Sequence, residues 1–292
     1  MTVAFALSGG GNLGPMQAGS MVALMEAGIT PDLLVGTSVG ALNAAFLATR
    51  PGVDGARALM EAWSALKRPE AVRLSFFTAL AGFLGFRNHL ISDQQLRQLI
   101  RRWVEIDRIE QATVPIAITA TDVLTGDGVL LTTGGILDSL AASCAIPGLF
   151  PPVSINGRWL VDGSLSANQP VLQAQALGAT DVFIITTAAA TRQRPPRGAV
   201  ALAMNSVSLV TSRDSRDQIA QATIWAEGNG GNVFVIPSSE PVAPTPFNFR
   251  RSASLAHASY ERTAQWLSGH ESEAALALVQ KEHKPRLDAG YG

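Results

Sequence analysis

The sequence contains little of several residue types on which particular classes of protein depend. A single cysteine, Cys144, excludes an intrachain disulfide and a cysteine-rich zinc site. The 22 lysines and arginines nearly balance the 23 aspartates and glutamates, so the chain lacks the basic excess of a nucleic-acid-binding protein. Nowhere do His, Cys and carboxylate residues follow one another at metal-ligand spacing. We therefore expect neither a metal nor a nucleic-acid partner.

The sequence also lacks a hydrophobic run that would cross a membrane. An uncharged segment over residues 74–86 is 13 residues long, well short of the roughly 20 that span a bilayer. It is consistent with an acyl pocket, a mobile cap, contact with a membrane surface or an ordinary buried helix. The first residues have no basic n-region and too short an apolar run for a signal peptide. We expect a cytoplasmic protein with, at most, peripheral and reversible membrane contact.

Segments of strand type alternate with segments of helix type along the chain. Strands are predicted over residues 2–7, 33–35, 115–123, 128–133, 153–155, 158–161, 181–187 and 232–236. Helices are predicted over residues 17–27, 39–48, 54–66, 92–104, 170–177, 199–226 and 254–284. The alternation predicts an α/β fold, with a mostly parallel central sheet covered by helices on both faces. Proline-rich stretches at 194–197 and 241–246 are typical of surface loops, so a single domain over 1–292 is expected.

Two glycine-rich turns follow the first two predicted strands. Ser38 lies in Gly-Thr-Ser-Val-Gly (36–40), the G-x-S-x-G pattern of a nucleophile at a sharp strand-to-helix turn. Residues 9–11 are all glycine, which allows successive backbone N–H groups to point at one spot. Because consecutive strands are often neighbours in a parallel sheet, we expect Ser38 to face this glycine loop. Together the turns predict a serine nucleophile beside an oxyanion site.

The first turn has a second interpretation. Its glycines at 9, 11 and 14 match G-x-G-x-x-G, the dinucleotide-binding fingerprint. That function requires an acidic residue about 20 positions further on, at the end of the second strand. The second strand instead leads into Ser38, and the nearest acid, Asp32, precedes it. A dinucleotide-binding oxidoreductase is therefore the less favoured hypothesis.

A serine nucleophile needs a base, and histidine is scarce. The four histidines are in no sequence that resembles a catalytic motif; they are His89, His257, His270 and His283. A carboxylate within hydrogen-bond reach of the serine can serve instead. The best candidate is Asp162, at the end of a predicted strand and followed by Gly163. On local sequence alone, an aspartate that bonds the backbone of its own turn is the commoner arrangement.

Four motifs in order make the sequence resemble the patatin-like phospholipase family. The first two are the glycine-rich loop at 9–14 and the elbow at 36–40. The third, Ala141–Val153, resembles an Ala/Ser-rich helix that runs into Pro-Gly-Leu-Phe-Pro-Pro, and the fourth is Asp162-Gly163-Ser164 with Asn168 and Pro170 after it. The motif-bearing part covers about residues 3–187. The C-terminal helical part, about 198–284, lies beyond the resemblance.

The resemblance implies a patatin-like α/β/α fold and a phospholipase A or esterase that works without a cofactor. Ser38 would be the nucleophile and Asp162 the base of a Ser–Asp dyad. The amides of Gly10 and Gly11 would be the main oxyanion donors, while Gly9 shapes the loop and is a further candidate donor. Phospholipids, lysophospholipids or simple carboxyl esters would be cleaved through an acyl-enzyme.

The sequence departs from the family pattern at two positions. Leu13 stands where the family commonly has arginine or lysine, and Ser164 where it has glycine or alanine. The missing charge at Leu13 leaves open a non-catalytic scaffold that binds acyl ligands. Arginines at 192, 194 and 197 are placed to meet anionic headgroups, although arginines in such a loop are more often simply solvated.

Overall fold

The computed structural model describes residues 2–66, 91–187, 199–237 and 249–269. The helix predicted over 254–284 spans Ser252–Leu267 in the structure, and the predicted range from 270 onward lies outside the described residues. Several features singled out above lie outside the described residues: the 74–86 segment, both proline-rich stretches, the arginines at 192, 194 and 197, and His89, His270 and His283.

Eight strands, nine α-helices and two short 3₁₀ helices (Gly11–Leu13 and Ile109–Gln111) make up the regular structure within these ranges. The strands are β1 (Val3–Leu7), β2 (Leu33–Thr37), β3 (Ile116–Asp122), β4 (Gly128–Leu131), β5 (Val153–Ile155), β6 (Arg158–Asp162), β7 (Asp181–Ile185) and β8 (Asn232–Ile236). The helices are α1 (Gly14–Glu26), α2 (Val39–Thr49), α3 (Val53–Ala65), α4 (Gln94–Trp103), α5 (Ile136–Ser143), α6 (Ser164–Ala167), α7 (Val171–Ala176), α8 (Ala199–Gly228) and α9 (Ser252–Leu267).

All eight strands form one mixed sheet in the order β5-β6-β3-β2-β1-β7-β8, with β4 also paired to β3. Strands β3, β2, β1, β7 and β8 are parallel to one another. Both β4 and β6 are antiparallel to β3, and β5 is antiparallel to β6. The sheet is therefore mostly parallel, as predicted, and β1 and β2 are neighbours whose carboxyl ends share one edge.

Side chains alternate between the two faces of the sheet, and each face has its own core. On β1, Phe5 and Leu7 face a large apolar cluster with α1, α2, α3 and α5. Ala4 and Ala6 face the opposite way, into a smaller cluster that includes Val171 of α7. This period of two, with helices covering both faces, confirms the predicted three-layer α/β/α architecture.

The described part of the chain contains no helix with both the length and the apolar content that crossing a bilayer requires.

Candidate active site

Ser38 lies at the sharp turn between β2 and α2. Its backbone has φ 54° and ψ −122°, a conformation that costs a residue with a side chain about 1–3 kcal/mol. The turn requires glycine at 36, because a Cβ there would lie 2.5 Å from the Ala41 Cα. The helix then begins at once, since the Leu42 amide donates to the Ser38 carbonyl at 3.2 Å. The strain is concentrated at the residue whose side chain projects at the sheet edge.

The Ser38 hydroxyl is hydrogen-bonded to a carboxylate. Ser38 Oγ donates to Asp162 Oδ2 at 2.8 Å, and the two residues are 7% and 2% exposed. The other carboxylate oxygen, Oδ1, accepts the Ser164 amide at 2.9 Å. Asp162 therefore makes the turn contact that its local sequence favours and, at the same time, contacts the serine 124 residues away.

The position of Asp162 is set by strand β6 and its neighbours. In the antiparallel pairing of β6 with β3, Asp162 lies opposite Ala120. The Asp162 amide donates to the Ala145 carbonyl at 3.0 Å, and Thr121 Oγ1 donates to the Asp162 carbonyl at 3.0 Å. These hydrogen bonds to the backbone amide and carbonyl of Asp162 hold its carboxylate at the sheet edge where β2 ends.

Gly163 lets the chain pass close to β3 directly after Asp162. A Cβ at this position would lie 2.5 Å from the Thr119 carbonyl oxygen and 2.4 Å from its Oγ1. The glycine of the Asp-Gly motif is thus required by close packing against the sheet.

Burial raises the pKa of the Asp162 carboxyl above its ordinary value, because the ionised form loses its hydration. The hydrogen bonds from Ser164 and Ser38 act in the opposite direction but do not cancel this effect. A carboxylate with a raised pKa is a stronger base than an exposed one. The environment of Asp162 therefore suits proton abstraction from the hydroxyl that it contacts.

The glycine loop lies directly beside Ser38. A Cβ on Gly9 would be 3.5 Å from the Ser38 Cβ and 2.7 Å from Asn168 Oδ1. The Gly9 amide is already engaged, since it donates to the Asn168 carbonyl at 3.0 Å. Within the described part of the chain, the amides of Gly10 and Gly11 donate to no protein acceptor. Within that part of the chain, these two amides are therefore available to a further acceptor.

A network of polar side chains holds the glycine loop in place. Thr187, just after β7, donates through Oγ1 to the Gly9 carbonyl at 2.8 Å, and its amide donates to Ser8 Oγ at 3.0 Å. Gln17 Nε2 donates to the carbonyls of Ser8 and Ile185 at 2.8 and 3.0 Å. Gly10 packs against Thr187 so closely that a Cβ would lie 2.1 Å from Oγ1. These contacts tie the loop to α1 and β7.

Leu13 has a packing role in this structure. Its side chain is 2% exposed and forms a small apolar cluster with Met16 and Leu255. An aliphatic residue therefore joins α1 to α9 at the position where the sequence departs from the family pattern.

Two alternative residues are not brought to the site. Asp32 lies at the opposite edge of the sheet, where its Oδ2 accepts the Val3 amide at 2.8 Å. His257 is exposed on α9, with Nε2 3.2 Å from Glu261 Oε1. Among the described residues, no three His, Cys, Asp or Glu side chains gather as a metal site would require.

The sequence motifs did not identify two polar residues that hold the site together. Ser143 Oγ, at the end of α5, accepts the Ser38 amide at 2.8 Å. Thr187 holds the glycine loop through its hydrogen bond to the Gly9 carbonyl. In the sequence, each of these residues is a polar residue at the end of an apolar helix or strand. Ser143 lies in the Ala/Ser-rich segment and Thr187 follows β7.

Comparison with known proteins identifies relatives over part of this chain. Lysophospholipase NTE1 of Mycosarcoma maydis is 26% identical over 186 residues, which cover 63% of this chain and 10% of that protein. An uncharacterized NTE family protein of Mycobacterium tuberculosis is 30% identical over 201 residues, 68% of this chain and 52% of that protein. The chain thus spans about half the length of the mycobacterial relative and about a tenth of the fungal one. Among solved structures, VipD from Legionella pneumophila matches with a TM-score of 0.47 at 16% identity, covering 92% of this chain and 67% of that one.

The model of the patatin-like phospholipase family matches residues 5–174, more than half of the chain. The match includes the glycine loop, the elbow at Ser38, the helix that ends at Ser143, and Asp162. On this evidence the chain belongs to the patatin-like phospholipase family.

Proposed function

We propose that this protein is a serine acyl hydrolase that cleaves lipid acyl esters through a Ser38–Asp162 dyad. The observation that carries the proposal is the 2.8 Å hydrogen bond between Ser38 Oγ and a buried carboxylate. Beside it lies a loop in which two amides donate to no acceptor among the described residues. A nucleophile, its base and an oxyanion site within reach of one another are the parts that acyl transfer requires.

In the acylation step, Ser38 Oγ attacks the ester carbonyl carbon while its proton passes to Asp162 Oδ2. The carbonyl oxygen becomes an oxyanion, which the amides of Gly10 and Gly11 stabilise by hydrogen bonds. Collapse of the tetrahedral intermediate breaks the bond to the alcohol, and Asp162 returns the proton to the leaving oxygen. The products of this step are an acyl-Ser38 ester and a free alcohol.

In the deacylation step, water takes the place of the alcohol. Asp162 accepts a proton from the water as its oxygen attacks the acyl carbonyl, and the same two amides stabilise the second oxyanion. Release of the fatty acid returns the proton to Ser38 Oγ. One carboxylate thus serves as base and as acid in each half of the cycle, so neither a histidine nor a cofactor takes part.

The proposed substrates are phospholipids, lysophospholipids or simple carboxyl esters. Two considerations support this class: membership of the patatin-like phospholipase family, and the name lysophospholipase carried by the fungal relative. Lipid substrates would require only peripheral contact with a membrane surface.

Fatty-acid release from lysophosphatidylcholine micelles and phosphatidylcholine vesicles tests the proposal. The wild-type protein should release fatty acid, and Ser38→Ala or Asp162→Asn should lower kcat about 10⁴-fold or more, because each removes a reacting group. His257→Ala is the control, since His257 is exposed on α9 and should leave the rate unchanged.

Two results would contradict the proposal. Activity that survives in Asp162→Asn but is lost in His257→Ala would refute the dyad. Wild-type protein that binds these lipids and hydrolyses no ester would establish the acyl-binding scaffold instead. Leu13, the residue that raised the scaffold hypothesis, packs against Met16 and Leu255.

A further inference from the structure

Three consecutive residues at the end of α5 contact both members of the Ser38–Asp162 pair. Ser143 Oγ accepts the Ser38 amide at 2.8 Å, and the Ala145 carbonyl accepts the Asp162 amide at 3.0 Å. The residue between them, Cys144, is buried. We refer to residues 143–145 as the α5 bracket.

The contact on the Ser38 side fixes a strained residue. Ser38 has a positive φ, and its amide is buried at the start of α2. Such an amide must find an acceptor, and a side chain of another helix provides it here. Ser143 is 0% exposed, so its hydroxyl is held by packing and does not exchange this bond for one with water.

The contact on the Asp162 side fixes the last residue of β6. The bond from the Asp162 amide reaches a carbonyl only two residues beyond Ser143. Cys144, the residue between these two contacts, is buried; burial and the charge of Asp162 both raise the pKa of its thiol. Two strands that are not neighbours in the sheet, β2 and β6, are thus joined by one short segment.

We propose that the α5 bracket positions Ser38 against Asp162, with Ser143 as a positioning residue for the dyad. The inference rests on the proposed function, because it assigns the bracket a role in the reaction of that dyad. The bracket holds each reacting residue by its backbone, so it constrains the distance between Ser38 Oγ and Asp162 Oδ2 without contacting the substrate. Misplacement of a reacting group by about 1 Å can cost about 100-fold in rate.

A pair of serine-to-alanine variants on the same helix separates positioning from structure. Ser143→Ala removes the acceptor for the Ser38 amide. Ser139→Ala is the matched control, because Ser139 lies one turn earlier, is 2% exposed, and donates to the Gly135 carbonyl of its own helix N-terminus at 2.8 Å. Each variant loses one buried hydroxyl from α5, and only the first loses a contact with the dyad.

The main readout is the second-order rate constant of fluorophosphonate labelling at Ser38, with kcat and KM for a soluble ester as the second. Ser143→Ala should label about 100-fold more slowly than wild type and show a fall in kcat at unchanged KM. Ser139→Ala should label within about threefold of the wild-type rate, because it leaves the bracket intact.

Equal labelling rates in Ser143→Ala and Ser139→Ala, with the wild-type protein labelled on Ser38, would overturn the inference and leave the proposed function standing. Folded wild-type protein that is not labelled on Ser38 would overturn both. A rise in KM at constant kcat would also contradict a positioning role. If Ser143→Ala fails to fold, Ser143→Cys takes its place, because a thiol of similar size is a much weaker acceptor. That variant should label more slowly, and a wild-type rate would overturn the inference.

Discussion

Gly40, the second glycine of the G-x-S-x-G motif, links the elbow to the glycine loop. A Cβ at this position would lie 2.3 Å from the Leu7 carbonyl oxygen and 2.6 Å from that of Ser8. The distance to the Leu7 oxygen is about 0.7 Å shorter than 3.0 Å, below which real Cβ atoms are essentially never found. The atoms in the way are backbone, so no side chain can rotate to relieve the clash. In Gly40→Ala, either α2 or the segment leading into Gly9 must move.

The displacement should affect both stability and activity. Overpacking of this kind lowers the free energy of unfolding by about 1–3 kcal/mol. A shift of nearly 1 Å between Ser38 and the amides of Gly10 and Gly11 should slow fluorophosphonate labelling by about 100-fold.

Labelling kinetics and thermal unfolding of Gly40→Ala measure the two effects. The control is Gly135→Ala, where an added Cβ meets no atom within 4 Å. It should leave the labelling rate unchanged. If Gly40→Ala were folded and labelled at the wild-type rate, the inferred coupling between elbow and loop would be refuted.

Three further predictions concern ionisable groups at the site. Burial raises the folded-state pKa of Asp162 above its unfolded value, so the stability it contributes is full below the unfolded pKa and is lost as pH rises through the folded one. Asp162→Asn should therefore raise Tm at pH 8 and have a smaller effect at low pH, and a lower Tm at pH 8 would contradict this. Because the base must be ionised, the rate of labelling at Ser38 should fall as pH decreases through the raised pKa of Asp162, and an acid limb at the pKa of an exposed aspartate would argue against a buried base. Burial also raises the pKa of the Cys144 thiol, so Cys144 should resist iodoacetamide until the protein is denatured, and rapid alkylation of native protein would contradict its position.

The sequence predicts the parts of the site that depend on local pattern. Alternating strands and helices imply a parallel sheet, and consecutive strands imply that the loop at Gly9 and the turn at Ser38 are neighbours. Both turns depend on glycines at which a Cβ would lie within 3 Å of another atom: backbone atoms at Gly36 and Gly40, and the side chains of Asn168 and Thr187 at Gly9 and Gly10. The glycines themselves follow one another closely in the chain, so they are visible as a motif.

Contacts between distant segments are not written in the local pattern. Asp162 reaches Ser38 because β6 is added antiparallel to β3, and periodicity alone does not specify that pairing. Periodicity likewise does not reveal α5, which only the family resemblance indicated, and neither predicts the bond from the Ser38 amide to Ser143. For Asp162, the resemblance to a family supplied the role that local sequence left open.

The role of Leu13 illustrates the same limit. From sequence, the residue is a missing positive charge near an oxyanion loop. In the structure, it is a buried contact between α1 and α9, two helices separated by more than 200 residues of chain. Only the tertiary packing distinguishes these two interpretations.

The central claim is that Asp162 activates Ser38 as a nucleophile. The most direct test is to label the purified protein with a fluorophosphonate and map the adduct by mass spectrometry in wild type, Asp162→Asn and His257→Ala. The account predicts an adduct on Ser38 in wild type and His257→Ala, and little or none in Asp162→Asn. A folded wild-type protein with no adduct on Ser38, or an adduct that forms equally fast in Asp162→Asn, would contradict it.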